Sequence, residues 1–213
     1  MHFIRSLISQ WPAAIIAIAS CWSIAAGAQD RMPAIAAGDL TADQRDAIEE
    51  LRRVRGIELR GPWIPLLRSP EVLSRARAMG DYLRYESTLS PELSEFLILL
   101  TAGEWRQQYE WHAHHPIALQ AGVSATALQA IAEGRRPSDL TAEQAALYEV
   151  FTELHRYHTV SDTTYDRARA LLGEQGIIDA VSIVGYYTLL AMVMNTVRTP
   201  LPAGATPMLP ALP

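Results

Sequence analysis

Residues 95–122 place two acids and a group of imidazoles inside an otherwise apolar helical pattern: Glu95, Glu110, His112, His114 and His115. Glu110 and His114 are four residues apart, so on a helix they stand on one face, one turn from each other. A carboxyl and an imidazole so placed can share a proton, and burial would raise the carboxyl pKa toward the range of a working acid or base. Glu95 sits among Leu93, Phe96, Leu97 and Leu100. A glutamate there is either an edge residue reaching solvent or a core-facing group that needs a partner. The candidate chemistry is acid–base work by Glu95, Glu110 and His114. Metal binding competes for the same atoms, but the spacing disfavours it. His112 and His114 project to roughly opposite faces, His114 and His115 diverge by about a hundred degrees, and HEXXH-type spacing is missing. Metal binding is therefore the minority reading, and the expectation is a site without metal.

Three aromatics flank these residues, Trp105, Tyr109 and Trp111. Such side chains fill a core or wall a pocket, and Tyr109 and Trp111 are the candidates for substrate contact. Of Tyr186 and Tyr187, in a long apolar helix, one is expected in the core and Tyr187 at the pocket. His155 and His158 lie near a helix C-terminus, where the helix dipole accounts for them.

The elements that must position these groups read as helices throughout. Thr41, Ser69, Ser90, Ser124, Thr141 and Ser161 each stand where an N-cap would, and Pro70 and Pro91 occupy first turns. Gly56, Gly122, Gly134 and Gly173 read as stops, Gly103 as a break, and Pro200 as the end of the last helix. The phrase Leu-Thr-Ala-Asp-Gln at 40–44 recurs as Leu-Thr-Ala-Glu-Gln at 140–144; with unmatched flanks this is repeated capping chemistry, not duplication. No period-two alternation, dinucleotide fingerprint, P-loop or Ser-His-Asp set is visible. The pattern predicts an all-α, single-domain helical bundle of about seven helices over 29–200, with 201–213, rich in Pro and Ala, as a disordered tail.

Residues 1–28 read as a secretory signal: Arg5, an apolar run, then Ala26-Gly27-Ala28 as a cleavage site. Ile18-Ala19-Ser20-Cys21 offers a competing lipoprotein box, with a lipid anchor through Cys21. Both readings put the protein outside the cytoplasm, periplasmic or secreted. Cys21 is the only cysteine of 213 residues, so a chain cut after Ala28 has no disulfide, thiol nucleophile or thiolate site. Lysine is absent, which removes Schiff-base chemistry. Without Arg5, 17 basic residues face 23 acidic ones, a net charge of −6, and no basic patch suits nucleic acid.

Across roughly 31–202 the chain resembles the carboxymuconolactone decarboxylase-like family, which has the alkylhydroperoxidase D-like (AhpD-like) all-α fold. The resemblance is carried by Gly61-Pro62-Trp63, Leu67-Arg68-Ser69-Pro70-Glu71, Glu95, Tyr109 to His114, Ile117-Ala118, Ala121-Gly122, Val160-Ser161-Asp162 and Gly185-Tyr186-Tyr187. It implies that Glu95 and His114 occupy the positions of the redox branch's glutamate and histidine, while Gln107 and Glu110 stand where that branch carries its two cysteines. Thiol peroxidase activity is therefore not expected. What the resemblance implies instead is a cofactor-independent lyase, a decarboxylase or related proton-transfer enzyme. His114 would donate a proton, Glu110 would orient it and Glu95 would complete the relay, with Tyr109, Trp111 and Tyr187 shaping the pocket. The implied partners are a small organic acid or lactone and further copies of the chain, as a homotrimer or homohexamer. The alternative is a non-catalytic small-molecule-binding or assembly protein that keeps the fold.

Overall fold

A computed structural model describes residues 29–211. The expected signal, the box at 18–21 with Cys21, and the last two residues lie outside the described part. Among the described residues the regular structure is helical, a 3-10 turn and eight α-helices, as the capping pattern predicts.

Helix α1 (Ala42–Arg55) opens on a capping box in which the Thr41 hydroxyl accepts from Gln44 N–H and the Gln44 side chain accepts from Thr41 N–H. It stops at Gly56, where φ is 64°, a conformation glycine adopts without strain. Helix α7 (Ala142–Tyr157) opens on the same reciprocal box from Thr141 and Gln144. The repeated phrase is thus repeated capping.

Between them lie α2 (Trp63–Leu66), α3 (Pro70–Tyr85), α4 (Pro91–Glu104), α5 (Gln108–Ala121) and α6 (Ala125–Ala132). Helix α4 is the centre of the bundle. Every residue from 94 to 102 on it is buried, and it packs against α3, α5, α6, α7 and α8. A helix apolar on all sides belongs inside a core. Glu95 lies in that stretch, which settles its sequence ambiguity: it is not an edge residue.

Helix α8 (Asp162–Val197) breaks at Gly173, whose φ of 69° and ψ of 174° are not helical. This is the stop expected there. Beyond Glu174 the helix carries one ionisable group other than its tyrosines, Asp179, which is buried. Its carboxylate accepts from the Thr88 N–H and hydroxyl, both at 2.9 Å, and from the Tyr82 hydroxyl at 3.3 Å. These bonds fix α8 along the end of α3. Tyr186 then lies so close to Gly80 that a Cβ there would be 2.3 Å from its hydroxyl. By length and composition α8 could cross a bilayer, but half of its most apolar stretch is buried inside the bundle.

Three details differ from the sequence reading. Gly103 does not break a helix: α4 runs through it to Glu104, and the chain turns at Arg106, where φ is 46°. Gly103 is small because α6 needs the space, with Ile131 Cγ2 3.0 Å from where a Cβ would be. The 61–65 link contains the short helix α2. The tail, read as disordered from its composition, is anchored at Leu209. Leu209 is buried, and its N–H and carbonyl both bond the Gln108 side chain.

Candidate functional site

The site is built on the junction between α4 and α5. Gln107 ends the intervening turn and caps α5: its Oε1 accepts from the N–H groups of Tyr109 and Glu110 at 2.7 and 3.2 Å. Its Nε2 donates to Asn195 Oδ1 at 2.8 Å, and Asn195 in turn donates to the Trp105 carbonyl. The start of α5 is therefore tied to α8. Glu110 follows in the first turn, and His114 one turn later.

Both side chains are buried, but they do not pair with each other as the i, i+4 spacing suggested. His114 Nδ1 lies 2.7 Å from Glu95 Oε2. Since a carboxylate can only accept, the Nδ1–H donates and Nε2 is left as the nitrogen that can take or give a proton. Glu95 Oε1 faces Arg84 at 3.6 Å, a charge contact longer than a hydrogen bond. The expected roles of the two acids are thus exchanged: Glu95 orients His114, and Glu110 stands alone. Both Glu110 oxygens are buried without a hydrogen-bond partner, and burial pushes its carboxyl well above the usual carboxylate range. A carboxyl pushed by burial toward its protonated form, beside an oriented imidazole, suits acid–base chemistry.

These groups border a cavity of about 400 Å³, within the range of small-molecule sites. Glu110, His114, Tyr109 and Tyr187 are in its wall, with Trp63 and Leu190 among the apolar residues. The Tyr187 ring stands perpendicular to that of His114, with centroids 5.2 Å apart. Burial drives its phenol well up, and raises that of Tyr186 to about 12. Both therefore stay protonated donors. Tyr109 lies over Gly61, where a Cβ would be 2.4 Å from the ring. With its φ of 54°, Gly61 is required twice over, by conformation and by space.

Not every candidate reaches the cavity. Trp111 is turned into the core toward Gly103 and α6, 1% exposed, and does not shape the pocket. Glu95 lies behind His114 and acts through it. His112 borders the cavity. His115 packs beside the Trp111 ring, and burial lowers its pKa. His155 stacks on Phe151 at 4.0 Å and bonds its carbonyl, a structural role. Among the described residues no three His, Cys, Asp or Glu side chains form a metal cradle. Sequence reasoning missed Arg55, Arg60 and Arg84, which add cationic groups to the wall. Arginines spread along helices with other surface arginines carry no chemical signature of their own.

No family model and no curated protein matches the sequence. Solved structures do match. A peroxidase-related protein from Ralstonia eutropha JMP134, described as an alkylhydroperoxidase AhpD core, superposes with a TM-score of 0.66 at 18% identity, over 81% of this chain and 92% of its own. The chain has the AhpD-like fold. A second peroxidase-related protein, from Silicibacter sp. TM1040, gives a TM-score of 0.64 at 17% identity over 78% of this chain and 87% of its own. The debrominase Bmp8, in a cysteine-to-alanine variant bound to 2,3,4-tribromopyrrole, gives 0.62 at 12% identity over 83% and 94%. Within this AhpD-like chain the described residues hold no cysteine. The positions that the sequence resemblance assigned to redox cysteines are the cap and the first turn of α5, where a helix N-terminus would favour a thiolate. Here Gln107 uses that place for capping and Glu110 for a buried acid.

Proposed function

We propose that the protein is a cofactor-independent proton-transfer enzyme, of the carboxy-lyase type, that acts on a small carboxylated or lactone-like acid. The observation that carries this reading is the His114–Glu95 pair beside a buried Glu110 whose oxygens have no hydrogen-bond partner, on one small cavity. Loss of CO₂ breaks a C–C bond and leaves its electron pair on the substrate, delocalised into a carbonyl as an enolate. His114 and the tyrosine hydroxyls stabilise the enolate oxygen, and a proton delivered to carbon completes the exchange of CO₂ for hydrogen. Glu95 holds the imidazole in one tautomer. The test is a screen of carboxylated lactones and related acids for CO₂ release by the purified mature protein, with Glu110→Gln alongside. Release by the wild type and a large loss in the variant are expected, whereas no release from any acid overturns the reading.

A ligand-binding protein without turnover is the second reading. It is favoured by the two buried Glu110 oxygens that lack a hydrogen-bond partner, and tight binding without CO₂ release would select it.

Residues 1–28 support export of the mature chain. Helix α8 supports self-assembly as a trimer or hexamer: Ile178, Val181, Leu189 and Met192 are exposed on it, with Gly185 open between them, an apolar face rarely left to water. Light scattering is expected to give three or six times the chain mass, and a monomer overturns the assembly.

A further inference from the structure

The cavity wall carries an excess of positive charge. Arg55, Arg60 and Arg84 border it against a single carboxyl, Glu110. Arg55 is already committed: its Nε donates to Asp81 Oδ1 at 2.6 Å, it also reaches the Arg77 carbonyl, and its guanidinium lies 4.8 Å over the Trp63 ring. Arg84 is less so. Its guanidinium lies 3.6 Å from Glu95 Oε1 and 5.1 Å over the Tyr85 ring, but its Nε–H is buried with no acceptor. The two Glu110 oxygens are in the same condition. Two buried, unpaired polar groups, one from α3 and one from α5, thus belong to the wall of one cavity. Buried polar groups are seldom left unpaired, and each exception points to something that completes it. One chemical group completes both. A carboxylate accepts from a guanidinium N–H with charge assistance, and its second oxygen accepts from a carboxylic O–H.

We propose that this cavity binds a small organic acid as its carboxylate, with Arg84 as the anion anchor and Glu110 supplying the second hydrogen bond. Arg84 takes this role within the small-acid reading above, and binding is measured without turnover so that either can fail alone. The second hydrogen bond exists only while Glu110 keeps its proton, so affinity falls as that carboxyl ionises. The other titratable and charged groups around it are His114, Tyr109 and His112 from its own helix, and Glu95 from α4 behind His114. Arg84 comes from α3, Tyr186 and Tyr187 from α8, and Arg55 and Arg60 from α1 and the turn before α2. Burial keeps the tyrosine phenols protonated, which leaves His114, His112 and Glu95 as the competing ionisable set. Glu110→Gln separates these from Glu110, because the amide still donates but has no proton to lose.

Benzoate, its neutral isostere benzamide, and the purified mature protein suffice for the test. Binding is followed by tryptophan fluorescence, Trp63 being in the wall, and by calorimetry from acid to mildly basic pH. Benzoate is expected to bind at least tenfold more tightly than benzamide. Arg84→Met should weaken benzoate at least tenfold. Arg84→Lys, which keeps the charge but lacks the Nε–H, should fall between the two. Glu110→Gln should bind benzoate at neutral pH and lose much of the decline seen in the wild type at higher pH. Circular dichroism and melting curves confirm that each variant is folded. Equal affinity for benzamide, no binding of benzoate at millimolar concentration, an unchanged affinity in folded Arg84→Met, or the full wild-type decline in Glu110→Gln would each overturn the anchor. If benzoate binds through Arg84 and no acid loses CO₂, the enzyme reading fails and the anchor stands. If acids are turned over while Arg84→Met binds normally, the anchor fails and the enzyme reading stands.

Discussion

Replacing His114 by alanine is expected to lower kcat for any acid the protein turns over by about 10²–10⁴-fold, the usual contribution of a positioned acid–base group. The expectation follows from three features on three helices. Glu95, in the buried stretch of α4, fixes the Nδ1 side of the ring at 2.7 Å. Tyr187, on α8, packs perpendicular to the ring, and α5 brings the ring to the cavity. With both sides of the imidazole held, Nε2 is pre-positioned, and the loss should appear in kcat more than in KM. Removing the ring also leaves Glu95 buried with only the 3.6 Å contact to Arg84. About 1–3 kcal/mol of stability should go with it, so the variant is compared at a temperature where it remains folded. Partial rescue by added imidazole would identify the missing proton carrier. Unchanged turnover in folded His114→Ala removes His114 from the chemistry, and the proposed reaction with it.

The fold was legible in the sequence because its signals are local. Caps such as Thr41, Ser90 and Thr141, the stops at Gly56, Gly122 and Gly173, and apolar spacing marked most of the helices the structure contains. What escaped was set by contacts between helices. Gly103 looks like a stop, but it is an interior residue made small by Ile131 of α6. Trp111, two residues from the pocket-lining Tyr109, faces the other side of α5 and belongs to the core. The tail reads as disordered by composition and is nonetheless anchored, because a single glutamine, Gln108, satisfies the backbone of Leu209. The site was legible in its membership and not in its wiring. Spacing proposed a Glu110–His114 pair. The fold instead brings Glu95 to His114 across nineteen residues, a partnership no helical period can announce. Arg84 had no signature because an anion anchor is defined by what lies unpaired around it.

Glu110 should make the stability of the native protein fall as pH rises, and Glu110→Gln should remove that part of the fall. In the unfolded chain the carboxyl titrates near its ordinary value of 4.5; in the fold, burial holds it well above this. Below the unfolded value both states carry the proton and the site contributes no slope. Above it the unfolded chain releases a proton that the native state keeps. The native state then binds more protons, and unfolding becomes easier by up to about 1.4 kcal/mol per pH unit until the buried carboxyl itself ionises. Glutamine has no proton to lose. Its unpaired amide is expected to leave the variant no more stable than the wild type near pH 4, with a deficit of about 1–3 kcal/mol. The two stability curves should then converge toward neutral pH. Denaturant midpoints of both proteins, taken at intervals from pH 4 to 8, give the difference directly, since titrations common to both cancel. Parallel curves would mean that Glu110 finds a partner or water in solution and is ionised like any other carboxylate. Converging curves would mean that the fold keeps an acid protonated at a cost to its own stability. A purely structural residue at that position has no use for such a proton, whereas a site that donates one to an anion or an enolate does.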